Sequence, residues 1–157
     1  MSLAPLKKAW AFLSPLPYGK TILSIGIGLF VPYTGTIRPR VLDLQPGYSK
    51  VLMRDKRVVR NHLNSVHAIA LMNLAELSTG LALNFGLPDD AISILTKLEI
   101  EYHKKARGDL IAECSVLDVP KVISERHSFN IQVATRDKQG DIVTTAKAQW
   151  LVGPARR

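Results

Sequence analysis

His67-Ala68-Ile69-Ala70-Leu71-Met72-Asn73-Leu74-Ala75-Glu76 opens the stretch that decides the fold. Between Arg60 and Asp89 the chain carries one formal charge, Glu76. Around it, residues 64–87 are apolar on nearly every side of an ideal helix, which predicts a long helix covered on most faces. Gly86 suits its C-cap, and Pro88 stops continuation. Asn64 is the expected N-cap. A carboxylate inside such a helix is costly unless something pairs with it or uses it.

On either side of this helix the pattern changes. Upstream, residues 36–44 read as a strand. Gln45-Pro46-Gly47-Tyr48 places Pro and Gly at the centre of a type II turn, and residues 49–54 return. Residues 55–64 form a polar, basic connection. Downstream, Ile92, Ile94, Leu98, Ile100 and Tyr102 alternate with Ser93, Lys97, Glu99, Glu101 and His103. Leu110, Ala112, Cys114 and Val116 form a second run, and Phe129, Ile131 and Val133 a third. After a turn at residues 137–141, Ile142, Thr144, Ala146, Ala148 and Trp150 share one face of a fourth. Strand, strand, long apolar helix, then strands predicts an α+β architecture, an antiparallel sheet wrapped on the helix. A sheet covers one side of the helix; a second subunit is the expected cover for the rest.

The bulk properties narrow the function. A chain of 157 residues with 46% hydrophobic content predicts one globular domain. Only the last residues, 153–157, look disordered in composition. Cys114, the only cysteine, excludes an internal disulfide, and with the four histidines it matches no zinc spacing. A reducing, cytoplasmic location is the simpler reading. The net charge of +8 fits an anionic ligand, but the basic residues are scattered without a base-stacking aromatic stripe, which argues against nucleic acid. Residues 1–35 read as a helical extension, with helices over 3–13 and 19–30, and residues 36–152 as the sheet domain. The apolar run 21–31 is short of the roughly 20 residues that span a bilayer. Its basic flanks leave peripheral membrane contact open.

The helix and its strands resemble the hotdog fold, a six-stranded antiparallel sheet wrapped around a long central helix. The local match is sharper. In hotdog acyl-CoA thioesterases of the phenylacetate-pathway and 4-hydroxybenzoyl-CoA type, an amide residue precedes His-Gly at the helix start, and Asp or Glu follows within the helix. Asn61, His67, Ala68 and Glu76 stand at that spacing. Lys104-Lys105-Ala106-Arg107-Gly108 is similar to the family's Arg-Pro-Ala…Gly corner between strands. The resemblance covers residues 36–151 and fits an uncharacterised subgroup. Two positions depart from the pattern. Ala68 replaces the glycine after His, and Gly80 stands where some relatives carry a hydroxyl.

The resemblance implies thioester hydrolysis, with acyl-CoA or an acyl-carrier thioester as substrate. Coenzyme A enters as part of the substrate, and no metal or other cofactor is expected. A helix N-terminus offers free N–H groups and a positive dipole end, a ready oxyanion hole. The Ala68 N–H is the candidate donor, and Glu76 the general base or nucleophile. His67 orients the site. Asn61 positions substrate or water, or else caps a turn. Asn64, Asn73 and Gly80 are candidates for substrate contact. Lys104, Lys105 and Arg107 are either a solvated turn or contacts to coenzyme A phosphates. Residues nine apart lie on opposite faces of a helix, roughly 13 to 14 Å along its axis, so His67 and Glu76 serve one carbonyl only across subunits. A homodimer, or a tetramer built on it, follows. Competing readings are a structural salt bridge at Glu76, a non-catalytic acyl-thioester or lipid-binding hotdog protein, a hydratase on the same fold, and a membrane-surface or nucleic-acid adaptor.

Overall fold

The computed structural model describes residues 4–155. Three helices come first: α1 (Ala4–Leu13), α2 (Gly19–Phe30) and a short α3 (Pro32–Gly35). A hairpin follows, β1 (Arg40–Gln45) and β2 (Tyr48–Met53), then the long helix α4 (Ala68–Gly86). The chain ends in β3 (Ala91–Tyr102), β4 (Leu110–Ser115), β5 (His127–Arg136) and β6 (Ile142–Pro154). All the strands form one antiparallel sheet in the order β1-β2-β4-β5-β6-β3. This is the hotdog architecture.

The sheet curls around α4, which touches every strand. Leu74, Ala75, Ala82 and Leu83 have no accessible surface, and they meet Val41, Val51, Met53, Leu110 and Val143, which have at most 1%. Polar atoms at this contact are satisfied within it. Ser49 Oγ donates to the Ser78 carbonyl at 2.7 Å, and Trp150 Nε1 donates to Thr79 Oγ1 at 3.2 Å. By length and composition α4 is apolar enough to cross a membrane, yet 61% of it is buried inside this fold. Its apolarity is explained by the sheet.

Several boundaries differ from the expected ones. α4 begins at Ala68, not near residue 64: Asn64 has φ 54° in the preceding turn, and His67 is the N-cap. The first strand begins at Arg40 because Pro32 starts α3 and Thr36 caps it. Pro154 still pairs with Ala91, so Gly153 and Pro154 belong to the sheet rather than to a frayed tail. Arg156 and Arg157, and Leu3 of the first expected helix, lie outside the described residues.

The main correction concerns β3. A bulge between Leu95 and Lys97 reverses the facing of the strand. Leu95 pairs with the inward Trp150 and Leu98 with the inward Ala148. Ile92 and Ile94 therefore point away from Leu98, and Ile94 is 60% exposed.

The N-terminal helices pack onto the sheet domain. Trp10 and Leu23 join the core. Ser24 Oγ accepts from the Val41 N–H at 2.9 Å, tying α2 to β1. Lys20 lies 5.5 Å from the centre of the Trp10 ring and donates to the Leu42 carbonyl.

The Pro46-Gly47 turn fixes the hairpin against α4 and β4. The Gly47 amide donates to the Ala82 carbonyl at 3.1 Å, and its carbonyl accepts from Val116 at 2.7 Å. Gly47 has φ +78°, and a Cβ there would lie 2.6 Å from the Val116 carbonyl oxygen. Gly47→Ala is expected to cost about 2 kcal/mol or more of stability, read as a lowered midpoint in a denaturant titration; an unchanged midpoint would contradict this docking.

Candidate active site

The strands leave one stripe of α4 open. Ile69, Met72 and Glu76 recur at intervals of three and four along it, and Ile69 is 48% exposed. Glu76 is half-buried there. Among the described residues its carboxylate has neither a cationic partner nor a hydrogen bond. Burial alone therefore pushes its pKa above the ordinary carboxylate value. A buried pair with a strand Arg or Lys, the structural alternative for Glu76, is not formed among the described residues.

The helix start lies at the other end of this stripe. His67 Nδ1 accepts from the Ile69 N–H at 3.1 Å, so a neutral ring carries its proton on Nε2. The Leu71 N–H bonds back to the His67 carbonyl. Ala68, the first helical residue, is exposed, and no acceptor among the described residues takes its N–H. Tyr102, from the end of β3, donates its hydroxyl to the Ala68 carbonyl at 3.2 Å. Burial raises the pKa of this phenol.

The loop before α4 is built around Asn61. Its Oδ1 accepts from the Leu63 N–H, the Ser65 N–H and the Ser65 hydroxyl. This is the capping geometry expected of asparagine in a turn. The loop is pinned to the strand corner, because Val66 N–H donates to the Ala106 carbonyl at 2.9 Å. The buried Ala106 thus sits beside the helix start, with Lys105 and Arg107 exposed on either side of it. Neither has an acidic partner among the described residues. Lys104 differs. Its ammonium is held by Asp137 and Asp141 at 2.6 and 2.8 Å, so its charge is satisfied within the chain at the β5–β6 hairpin.

Two assigned residues point elsewhere. Asn73 is buried and donates Nδ2 to the Tyr33 carbonyl of α3 at 3.1 Å, while its Oδ1 has no partner. Gly80 lets α4 approach Trp150: a Cβ there would lie 3.1 Å from the indole. From β3, Ser93 donates to Asn84 and Thr96 to the Gln149 carbonyl. Among the described residues, no group of three or more His, Cys, Asp or Glu could hold a metal ion.

Asp55 is the organising residue that sequence reading passes over. It accepts from Arg60 Nε at 2.6 Å and from the Gly108 N–H at 2.8 Å. It joins the end of β2, the loop before α4 and the corner that carries Lys105 and Arg107. No local signal marks it, because Gly108 is 53 residues away. Tyr102 was equally hidden, since its role rests on a contact between β3 and the start of α4.

The fold, a sheet curled around one central helix, recurs in known proteins. The pattern of a family described as "Domain of unknown function (DUF4442)" matches residues 19–152. The chain belongs to the DUF4442 family. Its structure is similar to that of a structural-genomics protein designated APC5556, at 28% identity and TM-score 0.82, over 97% of this chain and 100% of that one. It is also similar to PA5026 of Pseudomonas aeruginosa, called a "probable thioesterase", at 23% identity and TM-score 0.73, over 88% of this chain and 97% of that one. The phenylacetic acid degradation protein PaaI from Thermus thermophilus, in a mutant form, aligns at 16% identity and TM-score 0.64, covering 76% of this chain and 97% of its own. A comparison with curated proteins finds no match. The last two likenesses establish the hotdog fold.

The Asp55 hub makes a pH-dependent prediction. The Arg60 guanidinium, and then the Gly108 amide, hold the Asp55 carboxyl below its usual range despite burial. A depressed folded pKa contributes stability above the unfolded value, about 3.9, that is lost as pH falls through the folded value. Asp55→Asn is expected to lose about 1 to 2 kcal/mol at neutral pH. In thermal melts across pH, the gap to wild type should close below about pH 4. A pH-independent gap would contradict the charged hub.

Proposed function

We propose that the protein is a thioester hydrolase acting on acyl-CoA, or on an acyl-carrier thioester, through sites shared between two subunits. The observation that carries this is Glu76, a half-buried carboxylate without a partner on the one open stripe of the central helix. An unpaired carboxylate in that position is a standing cost unless chemistry uses it. The names of PA5026 and of other fold relatives support the same class of reaction.

In this reading Glu76 takes a proton from water as the water oxygen bonds to the thioester carbonyl carbon. Charge builds on the carbonyl oxygen, which the Ala68 N–H and the positive end of α4 stabilise. When the intermediate collapses, the C–S bond breaks, and the proton held by Glu76 passes to the departing sulfur. Ile69 and Met72, beside Glu76, give the acyl group an apolar wall. Lys105 and Arg107 suit coenzyme A phosphates; Lys104, already paired, positions the corner instead. Asn61 acts through the loop it caps.

Ala68 and Glu76 lie roughly 12 Å apart along one helix, so a single subunit does not supply both. A homodimer brings one subunit's Ala68 to the other's Glu76. The outer edge of β3 supports self-association: among the described residues no strand lies beside its hydrogen-bonding groups, and Ile94 stands exposed next to them.

Glu76→Gln tests the proposal. It keeps size and removes the base, so thiol release from CoA thioesters should fall at least about a hundredfold. The melting temperature should hold or rise, because a desolvated charge disappears. Wild-type hydrolysis should also rise with pH through a pKa above that of an ordinary carboxylate. A folded Glu76→Gln protein with wild-type turnover would overturn the mechanism, and wild type that binds acyl thioesters without cleaving them would make it an acyl-binding protein.

A further inference from the structure

The N-terminal helices carry a surface that the proposed chemistry does not use. On α2 and the turn before it, Tyr18, Ile22, Ile25 and Leu29 recur at helical spacing, and each is between 56% and 81% exposed. Phe12 at the end of α1 and Phe30 at the end of α2 extend the patch, at 72% and 66%. Scattered exposed apolar residues are ordinary, but a continuous helical stripe of them marks a contact surface.

Charge says what the contact is with. Residues 1–42 contain five basic side chains, Lys7, Lys8, Lys20, Arg38 and Arg40, and no Asp or Glu. Directly beside Ile25 lies a cavity of about 410 Å³ lined by Thr21, Arg38, Arg40, Arg54 and Lys56 among others. None of these four cations has an acidic partner among the described residues. The Thr21 hydroxyl oxygen, in the same wall, is buried without a hydrogen bond. Unpaired cations and an unused hydroxyl converging on one hollow suit a phosphate group. A second copy of the chain would bring cations against cations. A lipid bilayer with anionic headgroups offers both complements at once, an apolar depth for the stripe and phosphates for the hollow.

We propose that the outer face of α2 and the adjoining basic cavity form a docking surface for a membrane containing anionic phospholipid. The stripe from Tyr18 to Leu29 enters the headgroup boundary with α2 lying in its plane. Arg38, Arg40, Arg54 and Lys56 take a lipid phosphate beside it. Attachment is peripheral, since α2 has 12 residues, too few to span. The surface shares no residue with the open stripe of α4, so it stands whether or not the chain cleaves thioesters.

Co-sedimentation of the full chain with vesicles tests this, comparing phosphatidylcholine alone with phosphatidylcholine containing phosphatidylglycerol. Wild type should pellet with the anionic vesicles, and raised salt should weaken that binding. Ile25→Glu with Leu29→Glu should abolish it, with an unchanged melt because both side chains lie outside the core. Replacing Arg38, Arg54 and Lys56 together by Gln should weaken it about a hundredfold at low salt. Wild type that stays in solution with both vesicles, or binds both equally at every salt concentration, overturns the proposal without reference to any variant. Anionic binding that survives the Glu substitutions overturns the role of the stripe. If those substitutions instead halve the particle mass in sedimentation and leave lipid binding unchanged, the face joins two copies and the proposal fails.

Discussion

A helix that is apolar on almost every side is stable in water only if something covers almost every side. That constraint organises the chain. The sheet curls because its inner face must follow α4, and the hairpin turn at Gly47 docks on the Ala82 carbonyl as part of the same contact. Many inward positions on the strands are small or β-branched, as at Val41, Val51, Ala112 and Val143. Against this background, the stripe through Ile69, Met72 and Glu76 is conspicuous because it is left open.

An open stripe on an otherwise covered helix turns a costly residue into a usable one. Buried fully, Glu76 would need a cation; on the surface, it would carry no raised pKa. Half-buried and unpaired, it is poised between these states. The helix start is prepared separately. His67 satisfies Ile69, Tyr102 holds the Ala68 carbonyl, and the Asp55 hub binds the preceding loop to the corner at Gly108. These supports leave the Ala68 N–H available as a donor.

Much of this could be read in the sequence, and the reasons are specific. The long helix, its lone carboxylate, the Pro46-Gly47 turn and the strand sequence rest on local periodicity and turn chemistry. They survive with shifts of a few residues. What sequence could not give were effects of distant contacts. Asn64 looks like an N-cap by type, yet the loop geometry set by Asn61 puts it at positive φ and hands the cap to His67. The alternation in β3 hides a bulge, because apolar residues stand on both sides of it. Lys104 looks like its neighbours until the hairpin at Asp137 closes on it. The exposed face of α2 was legible only as an apolar run, since exposure depends on which face packs on β1.

Glu76 can act as a base only if its carboxylate has no cationic partner, and its protonation reports that directly. Titration of the Glu76 side-chain carboxyl carbon by NMR, with Glu76→Gln to assign the signal, measures it in the intact protein. A pKa clearly above the ordinary glutamate value of about 4.3 is the result expected for a desolvated, unpaired carboxylate. A value at or below it would mean that a cation pairs with Glu76 in solution, and the carboxylate would then be a structural ion-pair partner rather than a base.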